Sequence, residues 1–445
     1  MREARNRGKA LRSLAMARLL FADGRGVVYD HPTLLAAVRS GGDAQAPAEA
    51  PEPLPKGATL CLLPGRRPVG IDPSTGATSV LREARVGRRS FAPHAVGVTL
   101  PPGYTRTFLP AAFRPGPGEG EAPVLPQWAY TAAGLGSEGP VTWAFRTDRR
   151  RHWDPDLHSG ADLREKVMAR VAESDNPVYL QLARCALEWH CYTAENTFLA
   201  RDEGAIPSSA ACNARCVGCL SESAPGMPPS SHERILRAPG AEAMAEVGAR
   251  HLALARGRTM VSFGQGCEGE PLLRAREIAR AVRLMRERTP RGSINVNTNG
   301  SRPEALAALA EAGLDAVRIS INAASEDLYA AYYNPVGYRL RDVVASMRVA
   351  KEKGLYLALN LLVFPGVTDR EEEAERLARL VKEVSADQVQ TRSLAMDPDV
   401  YWEVARDRGG RGRPIGVRGL VRAMKAARPG LVVGNFARGL GERGP

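Results

Sequence analysis

The 445-residue sequence predicts an α/β protein: a partial (β/α)6 barrel with an N-terminal β-rich domain and connecting helices. Three observations predict it. From about residue 205 to 395, strand-length apolar runs alternate with helical periods, the pattern of βαβ units on a parallel sheet. Over 57–160, short apolar runs are broken by Gly and Pro turns, as in a small β domain. Between them, 161–204 switches to helical spacing, with Leu163, Val167, Val171, Tyr179, Leu182, Ala186 and Leu187 as the buried positions.

In chain order, 1–56 reads as an N-terminal helix followed by a linker. Leu11, Leu14, Ala15 and Leu19 recur at helical spacing, Asp23-Gly24-Arg25-Gly26 breaks the pattern, and 41–56 is rich in Pro and Ala. In the β-rich domain, Thr59–Leu63, Trp128–Thr131 and Val141–Phe145 are candidate strands, and no catalytic motif accompanies them. The barrel strands are expected at 205–210, 258–264, 293–298, 315–321, 355–363 and 387–392. Helices are expected near 232–250, 271–288, 302–312, 326–353 and 370–384. A basic extension, 396–445, follows.

Composition narrows the classes. Apolar residues make up 44% and charged residues 25%, ordinary values for a globular protein. No apolar run approaches the ~20 residues that cross a bilayer, so no membrane association and a cytoplasmic location are expected. Seven cysteines, three of them on one loop, suit a reducing compartment better than a disulfide framework. The net charge of +12 gathers at the two ends, and no aromatic-interleaved basic patch marks an RNA surface.

The most informative stretch is Ala211-Cys212-Asn213-Ala214-Arg215-Cys216-Val217-Gly218-Cys219-Leu220, spaced C-x3-C-x2-C. A zinc site usually shows two C-x2-C pairs, and only one is present. Three cysteines beside Asn, Arg and Gly are also poor core composition. Three thiolates on one short loop suit three irons of a cubane [4Fe–4S] cluster and leave the fourth iron open. The loop resembles the cluster loop of radical S-adenosylmethionine (radical SAM) enzymes.

That resemblance spans roughly 205–395 and implies a radical SAM barrel with two cofactors, the [4Fe–4S] cluster on Cys212, Cys216 and Cys219, and SAM. It implies that SAM chelates the open iron and is cleaved reductively to a 5′-deoxyadenosyl radical, which abstracts hydrogen from a substrate. A low-potential reductant such as flavodoxin or ferredoxin is the implied electron donor. The class would be oxidoreductase or transferase. Peptide, RNA and metabolite substrates all stand open. A non-catalytic iron–sulfur electron carrier or redox sensor is the rival reading.

Further motifs fall at the expected strand ends. Glu268-Gly269-Glu270-Pro271 resembles the family's GGEP segment, which meets the SAM amine, with Glu replacing the first Gly. Taken in isolation it reads as a turn starting a helix, where Glu270 favours the dipole; its place at a strand end about fifty residues after the cysteine loop favours the SAM reading. Thr298, Asn299 and Gly300 match a common family sequence and are also a turn dipeptide context. Strand alternation puts Arg318, Ser320 and Asn322 on one face. By the resemblance, Ser320 and Asn322 bind the SAM ribose or carboxylate. Arg318 pairs with a carboxylate of SAM or Glu270, or with a structural acid. Backbone atoms of Val363, Phe364 and Gly366 are expected beside adenine. Gln388, Gln390 and Arg392 alternate on the sixth strand and face substrate or solvent. Gly218 stands where the family often has an aromatic residue, which shifts adenine packing to Phe364 or Leu220. Cys185, Cys191 and Cys267 are candidates for a second cluster or for substrate-side thiols, and Cys61 for a core residue.

Overall fold

The computed structural model describes residues 17–439 except 117–121, 151–152, 155, 157–159 and 161. Contacts divide the chain into two compact units. One comprises residues up to 147 together with 363–372 and 393–420; the other comprises 148–362, 373–392 and 421 onward.

The second unit is built on a seven-stranded sheet whose spatial order follows the sequence. Its strands are β1 (Glu203–Ile206), β2 (Met260–Phe263), β3 (Ser293–Thr298), β4 (Ala316–Ile321), β5 (Tyr356–Val363), β6 (Gln388–Ser393) and β7 (Val432–Gly434). The recorded pairings are parallel, as the strand–helix alternation requires. β1 to β3 are buried along their whole length, the signature of a sheet covered on both faces. The intervening helices are α4 (Ala241–Leu254), α5 (Ala275–Arg288), α6 (Pro303–Glu311), α7 (Glu326–Tyr333), α8 (Leu340–Glu352) and α9 (Glu371–Glu383). α1 (Leu163–Glu173), α2 (Pro177–Leu187) and α3 (Tyr192–Leu199) precede the sheet.

Six βα units therefore stand where they were expected, with a seventh strand at the Leu431-Val432-Val433 run. The stretch 326–353 forms two helices rather than one. Asn334 takes a left-handed φ of 42° and Pro335 follows, so the backbone bonds cannot continue. Among the described residues the connecting stretch holds three helices. His190 at φ 49° turns the chain between α2 and α3.

The first unit centres on a ten-stranded sheet, antiparallel throughout its recorded pairings. Here the domain boundaries depart from expectation. Residues 1–16 of the expected N-terminal helix lie outside the described residues, and Arg18–Ala22 is a strand. Leu20 and Ala22 point into a core with Val96 and Val98, a period-two pattern that overrides the helical spacing. The Pro/Ala-rich stretch carries two short strands, Asp43–Gln45 and Glu52–Pro53. Pro53 is tolerated because its strand lies at the edge of the sheet. Part of the expected C-terminal extension also belongs to this unit. α10 (Pro398–Ala405) lays Trp402 over Gly41 and Gly42, where an added Cβ would come within 2.9 and 2.7 Å of the ring. α11 (Val417–Ala427) follows it.

Candidate functional site

The cluster loop leaves the C-terminal end of β1 and is fastened on both sides. On one side, Gly269 N–H donates to the Ser209 carbonyl at 2.7 Å and Glu270 N–H to the Ala211 carbonyl at 2.8 Å. A Cβ on Gly269 would lie 2.1 Å from the Ala211 oxygen, so only glycine permits this approach. On the other side, Arg215 N–H and Val217 N–H donate to the carbonyls of Tyr333 and Tyr332 at 3.0 and 2.9 Å, and Val336 N–H donates to Asn213. The loop is thus pinned between the segment after β2 and the end of α7.

Glu268 is the centre of the first fastening. Its Oε2 accepts from Ser208 N–H and Oγ, both at 2.6 Å, and from Ser209 N–H at 3.0 Å. Its Oε1 accepts from Gly264 N–H at 2.6 Å and Gln265 N–H at 2.9 Å. Burial pushes its carboxyl upward, and the Ser208, Ser209 and Gln265 donors draw it back. One buried carboxylate therefore ties the end of β1 to the end of β2.

Glu270 is held by a second set of donors. Leu272 N–H and Thr298 Oγ1 donate to its Oε1 at 2.9 and 2.5 Å, and Asn299 N–H to its Oε2 at 2.8 Å. Asn299 Nδ2 donates to Asn213 Oδ1 at 2.8 Å, and Asn213 Nδ2 to Ser301 Oγ at 3.0 Å. Glu270, Thr298 and Asn299 thus form one network with the cluster loop. Burial pushes the Glu270 carboxyl up to about 7 from 4.5. A raised acid stabilises the fold fully below its unfolded value, and that contribution is lost as pH rises through 7. In the cluster-free chain, Glu270 should withdraw on the order of 3 kcal/mol between pH 4.5 and 8. Urea unfolding of wild type and Glu270→Gln across this range measures it: the variant's pH curve should be flatter, and parallel curves would refute the assignment.

The thiols of Cys212, Cys216 and Cys219 are half-buried. Burial pushes Cys212 up to about 11 and Cys216 well above its ordinary value, with each also feeling the charge of Cys219. Arg234 opposes this. Its Nη2 lies 3.7 Å from Cys219 Sγ, its Nε donates to Ser221 Oγ at 3.1 Å, and its charge lowers Cys212 and Cys216. Protonated buried thiols beside a cation are poised to lose their protons to a metal, since the thiolate is the ligand.

Residues 206–378 match the model of the Radical SAM superfamily. This part of the chain is similar to that superfamily. Solved structures similar to the chain include a radical SAM methyltransferase from Sphaerobacter thermophilus, at 22% identity over 52% of this chain and 65% of that one, TM-score 0.37. Others are methylornithine synthase, at 17% identity over 60% and 77%, TM-score 0.36, and Streptococcus suis SuiB bound to precursor peptide SuiA, at 16% over 52% and 50%, TM-score 0.34. The chain spans under two thirds of the methyltransferase's length and half of SuiB's. No curated protein matches it.

The donor set of this loop fits a cubane. Three thiols share one loop, and Cys212 and Cys216 each feel the charge of Cys219. A cluster asks for one thiolate per iron.

The remaining expected SAM residues are placed as follows. Pro271 is buried at the first position of the short 3-10 helix Pro271–Arg274. Ser320 Oγ accepts from Asn360 Nδ2 at 3.4 Å inside the barrel. Asn322 is fully buried just beyond β4, and its Nδ2 donates to the Leu328 carbonyl at 3.3 Å, towards α7. Val363, Phe364 and Gly366 take their contacts in the other unit. Phe364 is fully buried there, 4.6 Å from the Tyr401 ring and under the Arg106 guanidinium. Gly366, at φ 84°, donates to Asp369 Oδ1 at 2.6 Å. Cys61 is a core residue, as expected. Cys185 and Cys267 are buried neighbours whose mutual hydrogen bond, then burial, raise the Cys267 thiol. Sequence reasoning missed Arg234, Ser208 and Asn213; the Glu at the motif's first position was visible, but not its five donors.

Proposed function

We propose that the protein is a radical SAM enzyme whose Cys212, Cys216 and Cys219 hold a [4Fe–4S] cluster. When bound, the cluster supplies one electron to the sulfonium of SAM, yielding methionine and the 5′-deoxyadenosyl radical that takes a hydrogen atom from the substrate. The observation that carries this reading is the shared network of the cysteine loop with Glu270, Thr298 and Asn299. It supports a cosubstrate site beside the open iron, which an electron carrier does not need. The chain's own part is to hold the loop by Glu268 and Gly269, to present Glu270 and Asn299 to the cosubstrate, and to keep water from the half-buried thiols.

A low-potential reductant such as flavodoxin or ferredoxin would supply the electron. No described helix is long and apolar enough to cross a membrane. All seven cysteines are free thiols, the state a reducing cytoplasm preserves.

The test is iron and sulfide content of anaerobically reconstituted protein, with EPR of the reduced form with and without SAM. About four irons per chain are expected. The signal should change with SAM and vanish when Cys212, Cys216 and Cys219 are all Ala. A signal indifferent to SAM would defeat the enzyme reading and leave the electron carrier. About eight irons would add a second cluster at Cys185, Cys191 and Cys267.

A further inference from the structure

The inside of the barrel is polar, and its hydrogen bonding is unbalanced. Glu203 on β1 accepts from Ser262 Oγ at 2.5 Å, and Ser262 Oγ from Asn295 Nδ2 at 3.0 Å. Asn295 Nδ2 also donates to Asn297 Oδ1 at 2.8 Å. Asn297 pairs in register with Arg318 on β4, and Arg318 with Ala358 on β5, whose methyl leaves the guanidinium room. From the far side, Gln390 Oε1 on β6 accepts from Arg318 Nη1 and from Arg392 Nη2, each at 3.1 Å.

Two cations thus converge on one neutral oxygen. Among the described residues the acid recorded beside Arg318 is Glu203 at 3.9 Å, beyond hydrogen-bond reach and already engaged by Ser262. Burial lowers Arg392 to about 10, the Arg318 charge adds to the effect, and the Glu203 and Asp148 charges oppose it. The two guanidiniums fix which way the Gln390 amide points, since its oxygen must face them. Its Nε2 is fully buried and without a partner among the described residues, and so is Asn297 Nδ2. Guanidiniums and amide N–H groups are all donors, and neither of these two buried N–H groups meets an acceptor among the described residues.

We propose that Arg318 and Arg392, with Gln390 Nε2 and Asn297 Nδ2, bind a carboxylate of a small organic-acid substrate inside the barrel. This rests on the radical SAM reading and adds the substrate's chemical class. A carboxylate is the planar counterpart of the Gln390 amide that the two guanidiniums already grip, and it offers four lone pairs to this donor set. The depth separates this group from the SAM-directed residues. Arg318 is the third of six residues of β4, whereas Glu270 and Asn299 lie beyond the C-terminal ends of β2 and β3.

Acetate is the probe, and thermal unfolding of the reconstituted full chain is the readout, in acetate, chloride and inorganic phosphate at matched ionic strength. Acetate should raise the Tm of wild type above its value in chloride, and Arg392→Gln should weaken the apparent affinity at least about tenfold. Gln390→Glu places a carboxylate between the guanidiniums; it should raise the Tm without acetate and remove the acetate increment. No increment in wild type, an equal increment in Q390E, or an equal response to phosphate overturns the proposal. An increment that SAM abolishes assigns the arginines to the cosubstrate and overturns it too. Loss of the SAM-perturbed EPR signal in wild type would instead defeat the parent reading, so the two failures are distinguishable.

Discussion

Glu268→Gly should cripple the cluster loop, although it converts Glu268-Gly269-Glu270-Pro271 into the family's own GGEP. In this chain five donors converge on the Glu268 carboxylate, four of them backbone N–H groups of Ser208, Ser209, Gly264 and Gln265. Glycine leaves them buried and unpaired in the space the side chain filled. Each orphaned donor carries a desolvation penalty, and partial relaxation brings the expected loss to roughly 3–5 kcal/mol. Glu268→Gln should do little better, since its amide nitrogen would face donors where an oxygen now accepts. The release is local: the β1 end and the Cys212 side of the loop lose their anchor to the β2 end. Reconstituted iron content should fall several-fold in both variants, alongside reduced stability to urea. A Glu268→Gly protein with wild-type stability and full iron would show that the carboxylate is dispensable.

This clamp marks where sequence reasoning ran out. The strand–helix alternation was legible because periods of two and of 3.6 residues are local signals, and the barrel strands fall within a few residues of expectation. The C-x3-C-x2-C loop was legible because its chemistry is written within eight residues. Two of the Glu268 partners, Ser208 and Ser209, lie 60 and 59 residues earlier, and nothing in the local pattern points to them. Asn322 shows the complementary error. Alternation assigned it to the face of Arg318 and Ser320, but β4 ends at Ile321, and one residue later the side chain bonds the Leu328 carbonyl of α7.

The β-rich unit was the least legible part. The unit takes in 363–372 from within the barrel sequence and 393–420 from after β6, and composition gave no sign of that recruitment. Phe364 illustrates the consequence. A turn expected beside adenine has its aromatic ring enclosed by Arg106 and Tyr401, a packing decided by residues far away in sequence.

The same long-range recruitment leads to the second large effect, at Asp397. Its carboxylate is fully buried and meets Arg66, whose side chain is 1% exposed, at 2.6 Å. Asp397 Oδ2 also accepts from Leu125 N–H at 2.8 Å, and Oδ1 from Asp399 N–H at 2.9 Å, which caps α10. Arg66 has a second, looser acid partner in Asp399 at 3.3 Å, whose side chain is 18% exposed. Asp397→Ala removes the closer counter-ion, the cap and the Leu125 acceptor together. Breaking a buried pair at one partner costs up to about 3–5 kcal/mol, reduced here by the remaining Asp399, and a lost cap about 1 kcal/mol, so the β-rich unit should unfold at markedly lower urea. Asp397→Asn keeps the cap, because Asn is as good a cap as Asp, and should lose only the charge component. Pairing Asp397→Ala with Arg66→Met removes the stranded guanidinium, so the double variant should recover part of the stability of the single one. If Asp397→Ala loses less than about 1 kcal/mol, the ion pair is not what holds 393–420 to the strands. If the double variant is weaker than Asp397→Ala alone, the Arg66 stem rather than its charge supports this part of the core.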